Sequence, residues 1–230
     1  MSDLLMIVPT RGRPDSVPAI LEAWDATEAT VHLLFAVDTD DPELAAYKKQ
    51  AAALKGDGRV KFVFGKRRRL VGTLNLQAVK AAKSYRFIGF MGDDHRPRTA
   101  GWDARFVECL SGGGPGLVYG NDLLQGEKMP TAVALTSDIV KTLGYMAPPA
   151  LVHLCVDLVW LDWGKGLDRI TYLGDLIIEH MHPANGKAAM DAGYAEANSP
   201  EQTSSDSAAY YDYRDNGGLQ ADLDKLRGLL

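Results

Sequence analysis

Phe90-Met91-Gly92-Asp93-Asp94-His95 sets two adjacent carboxylates and an imidazole where the apolar run Phe87-Ile88-Gly89-Phe90-Met91 stops. An unbroken apolar run of that length suits a buried parallel strand. In open α/β sheets, ligands bind beyond the carboxyl ends of such strands. Neighbouring Asp side chains repel each other and are costly in a core. Beside a divalent cation that repulsion is removed, and the cation bridges them to phosphate oxygens. A plain turn or helix cap after a strand is the structural alternative. The motif favours metal-assisted chemistry on a phosphorylated ligand.

Other residues extend that chemistry. Pro9-Thr10-Arg11-Gly12-Arg13 follows the first apolar run. The planar, permanently charged guanidinium matches diphosphate oxygens, so Arg11 or Arg13 can hold such a group and the other be a solvated loop charge. Lys66-Arg67-Arg68-Arg69 feeds a helix opening at Gly72-Thr73-Leu74-Asn75. A basic loop entering a helix N-terminus can bind phosphate. Arg69 is the member assigned to that contact and the rest read as a solvated basic turn; Asn75 would project toward the ligand.

In the second half, Leu154-Cys155-Val156-Asp157-Leu158-Val159-Trp160 places one acid in an apolar helix start. Asp157 is either an N-cap or a carboxylate made more basic by desolvation, as a general base requires. Asp162, on the same segment, is the weaker choice. Ile177-Ile178-Glu179-His180-Met181-His182-Pro183 carries two His spaced by two, which share a face if the strand continues. Such a pair can bind metal or simply pack. His182, nearer the presumed strand end, is preferred over His180. Asn185-Gly186-Lys187 forms a turn whose cation can reach phosphate.

These groups must be gathered by the elements between them. Apolar runs over 4–8, 33–37 and 60–64 and the run into Asp93 read as strands, with helices over 17–24, 44–54 and 72–84. Asp15 or Ser16 can cap the first helix, and Pro42 suits the first turn of the second. Strand–helix alternation implies an α/β fold with a mostly parallel central sheet and helices on both faces. Right-handed crossovers would bring Arg11, Arg13, Asp38, the basic run, Asp93 and Asp94 to one edge. Asp40 and Asp41 suit the start of the following helix. Beyond residue 100 the pattern is less regular: helices over 101–110, 138–143 and 156–163, strands over 117–119, 132–135 and 173–180, and a glycine-rich break at 111–116. From residue 198 the chain reads as a polar tail, partly helical at 219–230 and loosely attached. The expected organisation is one domain over 1–197, its ligand half near 1–100 and a second half over 101–197, followed by the tail 198–230.

Composition limits the possibilities. With 230 residues, 46% hydrophobic and 24% charged, the chain can bury a core. A net charge of −5 gives no general drive toward nucleic acid or acidic membranes, and the basic run lacks interleaved aromatics. Cys109 and Cys155 are too few for a disulfide framework. No apolar stretch reaches membrane-spanning length, and the first run is too short for a secretory signal. A soluble, cytoplasmic protein is expected.

Taken in order, Val8-Pro9-Thr10-Arg11-Gly12-Arg13-Pro14, Val37-Asp38-Thr39-Asp40, Gly92-Asp93-Asp94-His95, the acid Asp157 and a late His resemble the motifs of GT-A glycosyltransferases. The resemblance covers about 4–187. It implies a GT-A-like fold and transfer of a sugar from a nucleoside-diphosphate sugar with Mn²⁺ or Mg²⁺. It implies that Pro9, Thr10, Arg11 and Arg13 lie along the nucleotide and that Asp38 accepts a hydrogen bond from the base. It places Asp93 at the ribose, Asp94 on the metal with a late His, and Asp157 at the acceptor hydroxyl as general base. The strand-end motif departs from the family's DXD form, because His95 stands at its third position and is itself a potential ligand. The acceptor it leaves open, with a protein, glycan, lipid or small molecule ahead of a nucleobase. The alternatives are a nucleotidyltransferase acting on a sugar phosphate, which the Thr10-Arg11-Gly12-Arg13 loop fits poorly, and a non-catalytic nucleotide-sugar-binding module.

Overall fold

The computed structural model describes residues 2–230. Its first part follows the apolar pattern: β1 (Leu4–Thr10), α1 (Ser16–Ala26), β2 (His32–Asp38), α2 (Leu44–Ala53), β3 (Val60–Gly65), α3 (Arg69–Ala81) and β4 (Phe87–Phe90). β1 lies between β2 and β4 and is parallel to both, and β3 extends the sheet beyond β2 in parallel. Successive β1 side chains enter opposite layers. Leu5 and Ile7 pack with Leu74, Ala78 and Trp160, and Leu4, Met6 and Val8 pack with Ile20, Trp24 and Phe106. Burial on both faces is why β1, β2 and β4 read as unbroken apolar runs, whereas β3, at the sheet edge, carries the exposed Lys61.

The second part is β5 (His95–Pro97), α4 (Trp102–Leu110), β6 (Leu117–Asn121), β7 (Val133–Thr136), α5 (Ser137–Leu143), α6 (Val156–Leu167) and β8 (Ile170–His180). Among the described residues the strands form one sheet in the order β3-β2-β1-β4-β7-β6-β8-β5. The expectation of a mostly parallel sheet is corrected here: β7 opposes both its neighbours, β5 opposes β8, and the sheet is mixed. The cause is the connection from β6 to β7. It is a loop with one 3-10 turn at Gly126–Lys128 instead of a crossover helix, so the chain returns in the reverse sense.

Because β7 opposes β4 and β6 alike, β6 runs with β4, and β8 runs parallel to β6. The carboxyl ends of β1, β2, β3, β4, β6 and β8 therefore share one rim, and β5 and β7 begin there. Residues far apart in the chain converge on that rim.

The stretch from residue 198 corrects the reading of a loosely attached tail. After α7 (Ala192–Ala197) it forms α8 (Pro200–Asp215) and α9 (Gly218–Arg227). Tyr210, Leu223 and Leu226 are buried in the same layer as Trp160 and Trp163. A Cβ placed on Gly166 of α6 would stand 2.5 Å from Leu223, so α9 seats against the bare backbone of that helix. Among the described residues, no helix is long and apolar enough to cross a membrane.

Candidate active site

A cavity of about 470 Å³ opens at the shared rim. Of the residues singled out from sequence, Pro9, Thr10, Arg11, Arg13, Asp38, Arg69, Asp93, Asp94, His95, Asp157, His180 and His182 border it. Asn75 and Lys187 do not.

The centre of the site follows from strand register. β5 pairs with β8 so that His95 stands directly opposite His180, and the two rings stack with centroids 4.0 Å apart. Asp94, one residue before β5, reaches both: Oδ1 is 2.9 Å from His95 Nδ1 and Oδ2 is 3.2 Å from His180 Nε2. Gly92 makes the turn possible, since a Cβ there would lie 2.4 Å from Asp94 Oδ1 and 2.9 Å from His95 Nδ1. One ligand atom from each of Asp94, His95 and His180 can be chosen so that all lie within 4.8 Å of one another. A mixed oxygen and nitrogen set at this spacing fits a divalent ion, and the imidazoles favour Mn²⁺ over Mg²⁺, which takes oxygen ligands.

This geometry differs from the preference for His182. β8 ends at His180, so the period-two alternation stops there. His182 becomes the N-cap of a 3-10 turn (Pro183–Asn185), and its Nδ1 accepts from the Ala184 N–H at 3.1 Å. It remains at the cavity edge, outside the Asp94 cluster.

Asp93 and Asp94 are adjacent yet differ electrostatically. Asp93 is 7% exposed, and burial pushes its carboxyl up to about 6 against the pull of Arg13. Its oxygens accept from the Thr10 hydroxyl at 2.7 Å and from Arg13 Nη1 at 2.8 Å. For Asp94, burial works in the same upward direction, but His180 and His95 outweigh it and hold the group well below the ordinary carboxylate range. Burial presses the His180 imidazole down, yet Asp122 and Asp94 lift it to about 9.

The arginines are held by acids. Arg11 donates to Asp38 at 3.3 Å and to Asp40 at 2.8 Å. Asp41 is buried; its side chain accepts from the Gly12 and Glu43 N–H groups and pins the β1–α1 loop to α2. Arg13 spans the rim, with Asp93 on one side and a bidentate contact to Asp191 on the other. Arg67 and Arg69 both donate to Glu196.

Asp157 also borders the cavity; it lies in the first turn of α6 but is not its cap, which is Cys155 in left-handed backbone at φ 65°. Burial pushes the Asp157 carboxyl up. Asn75, expected at the ligand, instead has an internal role. Its amide oxygen accepts from the Met146 and Ala147 N–H groups, and its NH₂ donates to the Ala147 carbonyl at 2.8 Å, joining α3 to the loop after α5. Lys187 pairs with Glu179 at 2.6 Å, away from the cavity.

Four contributors escaped sequence reading. Asp122 follows β6 and approaches His180. Asp191, Tyr194 and Glu196 belong to α7 and its approach, where Tyr194 donates to Asp94 at 2.7 Å and Arg13 lies over its ring at 4.1 Å. Their short, alanine-rich surroundings carry no periodic pattern.

No protein-family model and no curated protein matches this chain. Solved structures do share its fold. A mannosyltransferase from Pyrobaculum calidifontis, in complex with GDP-Man and Mn²⁺, superposes with a TM-score of 0.64 at 14% identity, over 98% of this chain and 86% of that one. TarS from S. aureus, in complex with UDP-GlcNAc, gives 0.57 at 13% identity, over 94% and 75%. A 4-diphosphocytidyl-2C-methyl-D-erythritol synthase from Anaerococcus prevotii gives 0.51 at 11% identity, over 87% and 96%. The fold is that of the GT-A nucleotide-diphospho-sugar transferases.

Proposed function

We propose that this chain is a metal-dependent glycosyltransferase using a nucleoside-diphosphate sugar. One observation carries the reading: the Asp94–His95–His180 cluster, the arginine-bearing loops and Asp157 border the same cavity at the rim of a GT-A fold. Bound at Asp94 and His180, a divalent ion would neutralise the diphosphate as it leaves. Arg13, Arg67 and Arg69 supply fixed positive charge for the same group. Asp157, whose burial favours taking up a proton, accepts the proton of the acceptor hydroxyl. The acceptor oxygen bonds to the anomeric carbon as the bond from that carbon to the diphosphate oxygen breaks.

Calorimetric titration of UDP, GDP, ADP, CDP and TDP, each with Mn²⁺ and with EDTA, tests the donor half. One nucleotide should bind tightly and lose that binding in EDTA. Asp94→Ala should abolish the metal-dependent part. Asp157→Asn should leave binding intact and slow turnover of the matching nucleotide sugar by roughly 10²–10⁴-fold. Equal nucleotide affinity of Asp94→Ala and wild type in Mn²⁺ would sink the metal assignment.

The synthase neighbour supports a second reading, a nucleotidyltransferase. That activity would release pyrophosphate from a nucleoside triphosphate and a sugar phosphate. The β1–α1 loop, Arg11-Gly12-Arg13-Pro14-Asp15, is short and has no lysine, which favours the glycosyltransferase.

A further inference from the structure

Asp122 sits at the rim directly after β6 and is 2% exposed. Its Oδ1 accepts three successive backbone N–H groups, from Leu124 at 2.9 Å, Gln125 at 2.7 Å and Gly126 at 2.8 Å. Its Oδ2 accepts from the Thr131 hydroxyl at 2.8 Å. The carboxylate is thus fixed from both sides and cannot turn. Oδ2 retains acceptor capacity, and that capacity faces His180.

The His180 backbone N–H donates to the Asp122 carbonyl at 3.0 Å. Its ring Nδ1 is buried and has no hydrogen-bond partner; it stands 3.6 Å from Asp122 Oδ2. The other ring nitrogen, Nε2, faces Asp94. A proton on Nδ1, directed at Asp122, leaves the Nε2 lone pair free for a metal. A proton on Nε2 blocks it. The partner of one imidazole nitrogen decides what the other can do.

We propose that Asp122 is a positioning residue that holds His180 in the metal-binding tautomer and ties that ligand to the loop from Asp122 to Thr131. The inference rests on the metal reading above. That loop puts Leu124, Gln125, Met129 and Thr131 on the cavity wall. Thr131 Oγ1 also lies 3.3 Å from His95 Nε2, so the same loop touches both imidazoles. The arrangement makes the wall of the cavity and the ligand set one hydrogen-bonded unit.

Asp122→Asn separates positioning from packing. The amide oxygen can keep the three N–H contacts of the loop. The amide NH₂, in place of Oδ2, would donate to His180 Nδ1 and force the proton onto Nε2. Mn²⁺ affinity, read from the free-ion EPR signal during titration of the whole protein, should fall about 10–100-fold. In a His180→Ala background the same substitution should change Mn²⁺ affinity less than about twofold, because its effect runs through that ring. Unchanged affinity in the single variant, or an equal loss in the His180→Ala background, overturns the proposal. Absence of Mn²⁺ binding by wild type would instead bring down the metal reading, and this inference with it. If Asp122→Asn fails to fold, ¹⁵N shifts of the His180 ring in Zn²⁺-loaded wild type decide the matter. A proton on Nδ1 supports the proposal, and a proton on Nε2 overturns it.

Discussion

Asp93 and Asp94 are one peptide bond apart and do different work because their partners differ. Asp93 is occupied by Thr10 and Arg13 and shapes the arginine's approach. Asp94 faces two imidazoles and a tyrosine hydroxyl. The doublet was visible in the sequence, and so was its place at a strand end. The division of labour was not, because it depends on which side chains meet there from β1, β8 and α7. At this scale a pH dependence follows. The folded His180 value, about 9, lies above its ordinary 6.5, so folding favours its protonated form. The resulting stability is fully present below about pH 6.5 and is lost as pH rises through about 9. The shift corresponds to on the order of 3 kcal/mol, shared with the lowering of Asp122 and Asp94 and counted once. In EDTA, the melting temperature should therefore fall by roughly 5–10 °C between those pH values. His180→Ala should flatten that part of the profile. A wild-type melting temperature unaltered across the window would contradict the His180–carboxylate pairing.

At the scale of elements, legibility follows periodicity. The early strands and helices were readable because each shows either an unbroken apolar run or a helical repeat. β5 was not, because three residues carry no period. The direction of β7 was not, because apolar runs do not encode the sense of pairing. α7 was hidden for another reason: it is held by charge more than by packing. Glu196 is exposed yet bonds Arg67 and Arg69, two of the arginines assigned to the donor diphosphate. A carboxylate there competes with phosphate oxygens for the same donors. Ion pairs of this exposure contribute about 0.5–1 kcal/mol each. Glu196→Gln should therefore tighten nucleoside-diphosphate binding roughly fivefold, measured calorimetrically with Mn²⁺ present. Weaker binding would mean that Glu196 itself contacts the nucleotide.

For the molecule as a whole, the C-terminal helices decide how the part of the cavity that carries Asp157 is held. Their sequence reads as polar because part of what they bury is polar. Asp206 of α8 is 0% exposed and accepts the N–H groups of Val152, His153 and Leu154 at 2.7–2.9 Å, with Gln202 donating to it as well. Those three residues lead into Cys155, whose left-handed backbone starts α6, and so set the position of Asp157. No pattern of apolar residues could announce a carboxylate buried under three consecutive amides. Removing it leaves three half-buried amides without their acceptor, at about 1 kcal/mol each and so about 3 kcal/mol together. Asp206→Ala should then lower the melting temperature by roughly 10 °C, at about 2–4 °C per kcal/mol for a chain of this length. It should also slow sugar transfer while leaving Mn²⁺-dependent nucleotide binding within about twofold, since Arg11, Arg13 and the Asp94 cluster are carried by other elements. Loss of nucleotide binding in parallel with transfer, in protein that remains folded, would show that α8 supports the donor half of the cavity and not the Asp157 wall alone.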